Sequence, residues 1–243
     1  MSGEWNDPSG GTLSGEEGTN VVKALWEDIS ENLVGYLLSG LVAFVALMVL
    51  LMPVIGVSVA AFVAGAATED PLWVNVGLGI GGILGSFGAL ALMAVTALMS
   101  ASLMRAIDGQ RRGEGAVTWS SVFSTFSQDA VRIVLFSVLG TVAISVAFGL
   151  CILPAIPVMA VWTFATPIVV LESAGIATAL GIAARHLASN LVWHVVVWLI
   201  LTLIWMVLQA TGIGGLFWMP ILVGYQVFAY RTAFGEGGAA GMA

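Results

Sequence analysis

The sequence predicts an all-α fold, a polytopic transmembrane helix bundle of about six spans arranged as three units of amphipathic helix plus hairpin, with both termini cytoplasmic. Three observations carry this expectation. The chain of 243 residues is 59% hydrophobic and only 9% charged, with a mean hydropathy of +1.04, too little polar surface to cover a soluble globule of that size. Its apolar stretches exceed the roughly 20 residues needed to cross about 30 Å of hydrocarbon, and the alternating segments of about 10 residues that build a membrane barrel do not occur. Finally, Lys23, Arg105, Arg111, Arg112, Arg132, Arg185 and Arg231, the full set of seven basic residues, fall on one side of the bilayer in a single threading, the bias that marks the cytoplasmic face.

Residues 1–19, rich in Gly, Ser, Glu and Asp, bury too little apolar area to offset chain entropy and are expected to form a disordered acidic tail. From Asn20, the residues Val21, Val22, Leu25, Trp26, Ile29 and Leu33 recur at helical spacing between Lys23, Glu27, Asp28 and Glu31. That is the pattern of an amphipathic helix lying in the membrane interface. It leads into an apolar stretch over 33–67, in which Pro53 and Gly56 predict a kink or a break. Thr68-Glu69-Asp70-Pro71 ends the stretch, and Trp73 is placed for the opposite interface. A second apolar run over 74–104 carries Gly77, Gly81 and Gly85 at four-residue spacing, a helix-packing face that another backbone can approach closely. A polar loop over 108–115 precedes a second amphipathic segment over 117–132, with Val122, Phe123, Phe126 and Ala130 on its apolar side. Spans over 133–150 and 152–171 follow, joined by an uncharged turn. A third, weakly amphipathic segment over 174–189 contains Arg185 and His186, and 191–209 with 214–230 form the last hairpin, closed by Arg231. Residues 233–243 read as a flexible Gly/Ala tail.

The single membrane domain, 20–232, thus divides into units at about 20–104, 117–172 and 175–231. Asn32-Leu33-Val34 at the first entry matches Asn190-Leu191-Val192 at the third, and the same register pairs Met48-Val49-Leu50 with Met206-Val207-Leu208. The second entry, Asp129-Ala130-Val131, matches in character alone. A family resemblance rests on Leu153-Pro-Ala-Ile-Pro157, on Phe164-Ala-Thr-Pro167-Ile-Val-Val-Leu-Glu172, and on Gly175 and Ala179 ahead of a basic segment and a fifth span. Together these residues, within 153–190, resemble a group of six-span bacterial inner-membrane proteins of unknown function related to the membrane domain of glycerophosphoryl diester phosphodiesterases. The resemblance implies six helices with cytoplasmic amphipathic linkers. It implies no catalytic set, and with no hydrolase domain appended, phosphodiesterase activity does not carry over.

Composition narrows the function classes. Of the 14 acidic residues behind the net charge of −7, Glu4, Asp7, Glu16, Glu17, Glu27, Asp28 and Glu31 precede the first span, so the charge belongs to the tail and first helix. Nucleic-acid binding lacks a basic footprint. Cys151 is the sole cysteine, which excludes an internal disulfide and a Cys-rich metal site. The N-terminus lacks the basic n-region and cleavage site of a signal peptide, so the first span is expected to remain a membrane helix. No cofactor is expected.

Several residues could carry chemistry. Glu172, at a span end beside Pro167, could contact an ion or a substrate amine, although a headgroup-level charge pairing with Arg185 is the simpler reading. His194 lies about one turn inside the fifth span, where it could relay a proton or, more simply, hydrogen-bond in the interior. His186 is expected at the interface, leaving His194 without an intramembrane histidine partner. Arg105, Arg111, Arg112 and Arg132 could gather anionic lipid headgroups, while topology alone already accounts for them. Trp198 and Trp205, deep in the fifth span at helical spacing, could face lipid, a partner protein or a hydrophobic ligand. Gly79-Ile-Gly81-Gly82-Ile-Leu-Gly85 lacks the preceding strand and following Lys-Ser/Thr of a nucleotide loop.

The expected function is non-enzymatic: an integral membrane subunit or scaffold of a larger or homo-oligomeric assembly, in a bacterial inner membrane, with lipid and other membrane proteins as partners. The alternative is a transporter or channel for a lipophilic or small neutral solute, motivated by Pro53, Pro154, Pro157 and Pro167 along the spans. An intramembrane enzyme lacks a nucleophile with a base.

Overall fold

A computed structural model describes residues 15–68, 71–125, 129–150, 152–210 and 214–235. Among them the chain forms α1 (Gly15–Glu31), α2 (Leu33–Thr68), α3 (Pro71–Arg111), α4 (Ala130–Leu150), α5 (Ile152–Leu171), α6 (Ile176–Ala210) and α7 (Gly214–Phe234), with a 3-10 turn at Trp119–Phe123 and no strand. Helices dominate because backbone groups in apolar surroundings must bond within their own segment. The stops have local causes. At the end of α3, Gly113 takes φ of 74°, while Glu114 N–H bonds the Gly109 carbonyl and Gly113 N–H that of Gln110, the paired bonds of a Schellman cap. Gly235 closes α7 at φ of 68°, its N–H on the Arg231 carbonyl at 2.8 Å.

Several expectations are corrected. α2 continues through Pro53 without the break anticipated near Gly56, and with 36 residues it extends about 54 Å, longer than the hydrocarbon layer. The entry over 117–132 is not an amphipathic helix: it contains the short 3-10 turn, Val122 is buried, and Phe123 is 42% exposed. Phe126 lies outside the described residues. The segment over 174–189 is not separate from the fifth span but merges with it in α6, since no glycine or proline interrupts 182–210. α1 starts at Gly15, earlier than Asn20, so 15–19 belong to a helix rather than to the tail.

Short connections make α2–α3, α4–α5 and α6–α7 neighbouring hairpins, and α7 packs on α1, α2, α3, α5 and α6. This hub helix buries Val223, Tyr225, Val227, Phe228, Tyr230 and Phe234. Opposite them stand Leu103, Met104 and Ile107 of α3, Phe164, Ile168 and Val169 of α5, and Ala179, Ala183 and Leu187 of α6. Among the described residues the core therefore sits toward the end of the bundle where α3, α5 and α7 finish and α4 and α6 begin. In the opposite half large apolar side chains face outward: Met52 is 68% exposed on α2, Val146 58% on α4 and Val207 67% on α6.

Two glycines are required by close approach. A Cβ at Gly35 would overlap the Val117 carbonyl oxygen, and one at Gly140 would overlap the Trp162 indole, which donates from Nε1 to the Phe136 carbonyl at 3.2 Å. Gly35→Ala is expected to lower stability by about 1–3 kcal/mol through overpacking. Gly56→Ala, where no atom lies within 4 Å, is expected to raise it by up to about 1 kcal/mol from helix propensity. Unfolding of both variants in detergent checks the contrast, and equal effects would contradict the assigned packing.

Candidate functional site

Basic residues converge on the C-terminal end of α5, whose last carbonyls lack partners within the helix and carry the negative end of its dipole. Arg105 of α3 donates through Nε and Nη2 to the Val170 carbonyl, both at 3.2 Å. Arg132, in the first turn of α4, donates to the Ser173 carbonyl at 2.5 Å and the Val169 carbonyl at 3.4 Å. Asp129 Oδ2 joins the two arginines, 3.3 Å from Arg105 and 2.9 Å from Arg132, and accepts from Ser173 Oγ at 3.1 Å. Asp129 and Ser173 both occupy the left-handed region, at φ of 55° and 56°, where these bonds retain them. Each arginine side chain remains 25% exposed.

A second cluster joins α3 to the hub. Arg231 donates from Nε to Asp108 Oδ1 and from Nη2 to Asp108 Oδ2, both at 2.7 Å, in a bidentate fork whose side chains are 8% and 3% exposed. Arg112 reaches the same carboxylate at 3.2 Å, and Arg111 lies 4.5 Å above the Phe228 ring. Two residues beyond Asp108 along α3, Gln110 Nε2 donates to Asp28 at 2.6 Å. Its Oε1 accepts from Asn32 Nδ2 and from Val117 N–H, each at 2.8 Å. Tyr36 donates its hydroxyl to Asp28. Gln110 thereby fastens α1, α2 and the chain before the 3-10 turn to α3.

Between α3, α4, α5 and α7 lies a groove of about 590 Å³. Its walls include Leu92, Ile133, Phe136 and Val169, with the hydroxyls of Thr96, Ser100, Ser137, Thr141 and Thr166 among them. Gln226 borders this groove and also a second cavity of about 20 Å³ beside Thr163, His194 and Tyr225, room for about one water. Here His194 is buried as expected, but His186 is not at the interface: it is fully buried, with its Nε2 3.1 Å from that of His194. The continuous helix α6 produces this pairing, by placing the two residues about two turns apart on one element. Phe164 stacks on His186 at 4.3 Å, and His194 Nδ1 lies 3.2 Å from the Tyr225 hydroxyl. One histidine nitrogen must donate to the other and the His194–Tyr225 bond then runs in the same sense, so a neutral pair forms a single directed chain between His186 and Tyr225. Among the described residues no cluster of three or more His, Cys, Asp or Glu side chains is arranged to hold a metal.

The anticipated residues therefore divide. Arg105 and Arg132 meet at α5, Arg112 joins Asp108, and Arg111 stacks on Phe228. Glu172 is half-buried at the same end of α5. Gly77, Gly81 and Gly85 lie on the α3 backbone, but their surroundings, like the side chains of Trp198 and Trp205, fall outside the described residues. Sequence reasoning missed Asp108, Gln110, Asn32 and Tyr36. The available signal was an acid and an amide immediately after a long apolar run; their partners are as many as 123 positions away.

Fold and site together define a helical membrane protein: Leu33–Val57, Gly88–Arg111 and Ala130–Leu150 are long and apolar enough to cross a bilayer, and Ala155–Leu171 is a shorter apolar helix. Comparison with known protein families, with curated proteins and with solved structures gives no match.

Removing one member of a buried ion pair costs about 3–5 kcal/mol, but the two members of this pair are not equivalent. Asp108→Leu removes the carboxylate that takes both arms of the Arg231 fork, leaving the Gly235 carbonyl at 3.4 Å from its Nη1, whereas Arg231→Met leaves Asp108 with the charge of Arg112. Chemical unfolding in detergent is expected to rank Asp108→Leu as the more destabilising, with the double variant recovering part of the loss. The reverse ranking would contradict the role given to Arg112.

Proposed function

We propose that the protein is a non-enzymatic integral membrane subunit or scaffold of a larger or homo-oligomeric assembly. In this reading α2–α7 are six passes, both termini are cytoplasmic, and the membrane is a bacterial inner membrane. The positive-inside bias supports the orientation, since Arg105, Arg111, Arg112, Arg132 and Arg231 all belong to the polar end. The likeness of 153–190 to six-span inner-membrane proteins points the same way. A common origin for the first and third hairpins is supported by the match of Asn32-Leu33-Val34 with Asn190-Leu191-Val192.

The observation that carries the proposal is the division of the molecule. One end is fastened by Asp108–Arg231 and Gln110, while α2, α4 and α6 keep broad apolar faces uncovered along their described lengths, from Val34 to Met52, Val131 to Val146 and Val192 to Val207. Apolar faces at hydrocarbon depth are available to neighbouring helices, and packing rather than the hydrophobic effect decides whether such helices associate. The mass of the protein extracted with its native lipid is expected to exceed that of one 25.2 kDa chain, through self-association or a co-purifying membrane protein. A single unaccompanied copy would overturn the proposal.

The groove favours a second reading, passage of a lipophilic or small neutral solute. Pro167 lies inside α5 between groove residues Thr166 and Val169, and Glu172 lies at its end. This reading expects flux into proteoliposomes that falls in Pro167→Ala and Glu172→Ala; unchanged flux would remove it.

A further inference from the structure

We infer that the groove between α3, α4, α5 and α7 is a phospholipid site, with one acyl chain along its walls and the phosphodiester at Arg105 and Arg132. This rests on the membrane orientation proposed above but not on the scaffold role. Dimensions come first. On α3 the groove runs from Ala89 to Ser100 and on α4 from Ile133 to Ile144, in each case about 16 Å of helix. That is close to half of a hydrocarbon layer about 30 Å thick, the depth an acyl chain occupies in one leaflet. A volume of about 590 Å³ also falls within the usual range for ligand cavities, about 300–1,000 Å³.

Position and charge then fix which end takes the headgroup. Val169 and Val170 line the end of the groove where α3 and α5 finish and α4 begins, and their carbonyls are the ones that Arg132 and Arg105 hold. Two partly exposed guanidiniums thus hold carbonyls of residues that line the slot, without lining it themselves, and Arg132 also borders a separate pocket with Val131, Leu135 and Ile176. Asp129 bridges them and offsets one charge. Arg105 also donates from Nη1 to Thr125 Oγ1 at 3.4 Å and Arg132 Nε is buried, so one Nη1 N–H of each arginine remains to meet a phosphate oxygen. Arg111 and Arg112, turned to Phe228, Asp108 and Glu114, are not part of this site. The hydroxyls within the slot present no conflict: Thr141 and Thr166 each donate to the carbonyl four residues earlier, leaving methyl groups to contact the chain.

The test uses the full-length protein in phosphatidylcholine vesicles containing a small fraction of phosphatidylglycerol with a photoactivatable acyl chain. Flotation and oligomer mass are measured on the same sample. The expected result is labelling concentrated in peptides covering 89–100 and 133–144. Labelling there falls about fivefold in Arg132→Gln, but not in Arg112→Gln. Excess unlabelled phosphatidylglycerol, which unlike the phosphatidylcholine of the vesicle carries a net negative charge, is expected to compete, whereas diacylglycerol, which lacks the phosphate, is not. Because Arg132→Gln also loosens the end of α5, Thr141→Phe provides an independent variant: it fills the slot far from the charges and is expected to abolish groove labelling. Labelling spread equally over the outward faces of α2 and α6, or unaltered in Thr141→Phe, would overturn the acyl site. Equal competition by diacylglycerol would overturn the headgroup contact. Failure to float with vesicles refutes insertion in the membrane instead, and a monomeric mass with intact groove labelling refutes only the scaffold role.

Discussion

A carboxylate and a guanidinium removed from water, Asp108 and Arg231, determine how the rest of this bundle is assembled. Each is costly to bury alone, and the fork between them, at 2.7 Å on both arms, is what makes their burial tolerable. The pair fixes the end of α3 against the end of α7, and α7 is the helix on which α1, α2, α3, α5 and α6 all pack. Apolar packing between long Leu/Val-rich helices tolerates sliding by a turn with little change in buried area. A bidentate ion pair does not, so it sets the register that the surrounding apolar contacts follow.

The same economy of polar groups recurs at α5. An exposed helix end in water would have its carbonyls solvated, but here Arg105 and Arg132 reach in from α3 and α4 to serve them. Their placement satisfies three demands at once: the sidedness expected of a membrane protein, the helix dipole, and the union of two hairpins. Gln110 performs a similar union for α1 and α2 without charge, using both ends of its amide. The polar end is therefore continuous from Asp28 through Gln110 and Asp108 to Arg231, and it encloses the part of the molecule with the densest core.

What could be read from the sequence follows from the range over which each signal acts. The all-helical character and the one-ended basic residues were legible, because apolar run length and charge position are properties of single segments. The hairpin pairing α4–α5 was legible from its uncharged turn. Where expectation failed, tertiary context outweighed local pattern. Pro53 was expected to interrupt the first long stretch, yet the helix assignment continues through it. The residues 117–132 have a helical apolar stripe, but Val117 is drawn to Gln110 and Thr125 to Ser102, leaving only a 3-10 turn between. His186 read as interfacial because Arg185 stands beside it. In the structure, the arginine faces outward and the histidine inward, since adjacent helix positions are about 100° apart. No local pattern could have paired Asp108 with Arg231 or brought Asn32 to Gln110, because their spacing in the chain carries no period.

The uneven distribution of the core has a mechanical consequence. Polar ties and buried side chains are concentrated toward one end, whereas the far portions of α2 and α6 project apolar residues outward. Bilayers differ in thickness, and a helical protein meets the mismatch by tilting or by deforming the lipid around it, at a modest cost per ångström. In this molecule the polar ties join α3 to α7, α3 to α5 and α4 to α5 at one end, so a change of tilt there carries those helices together.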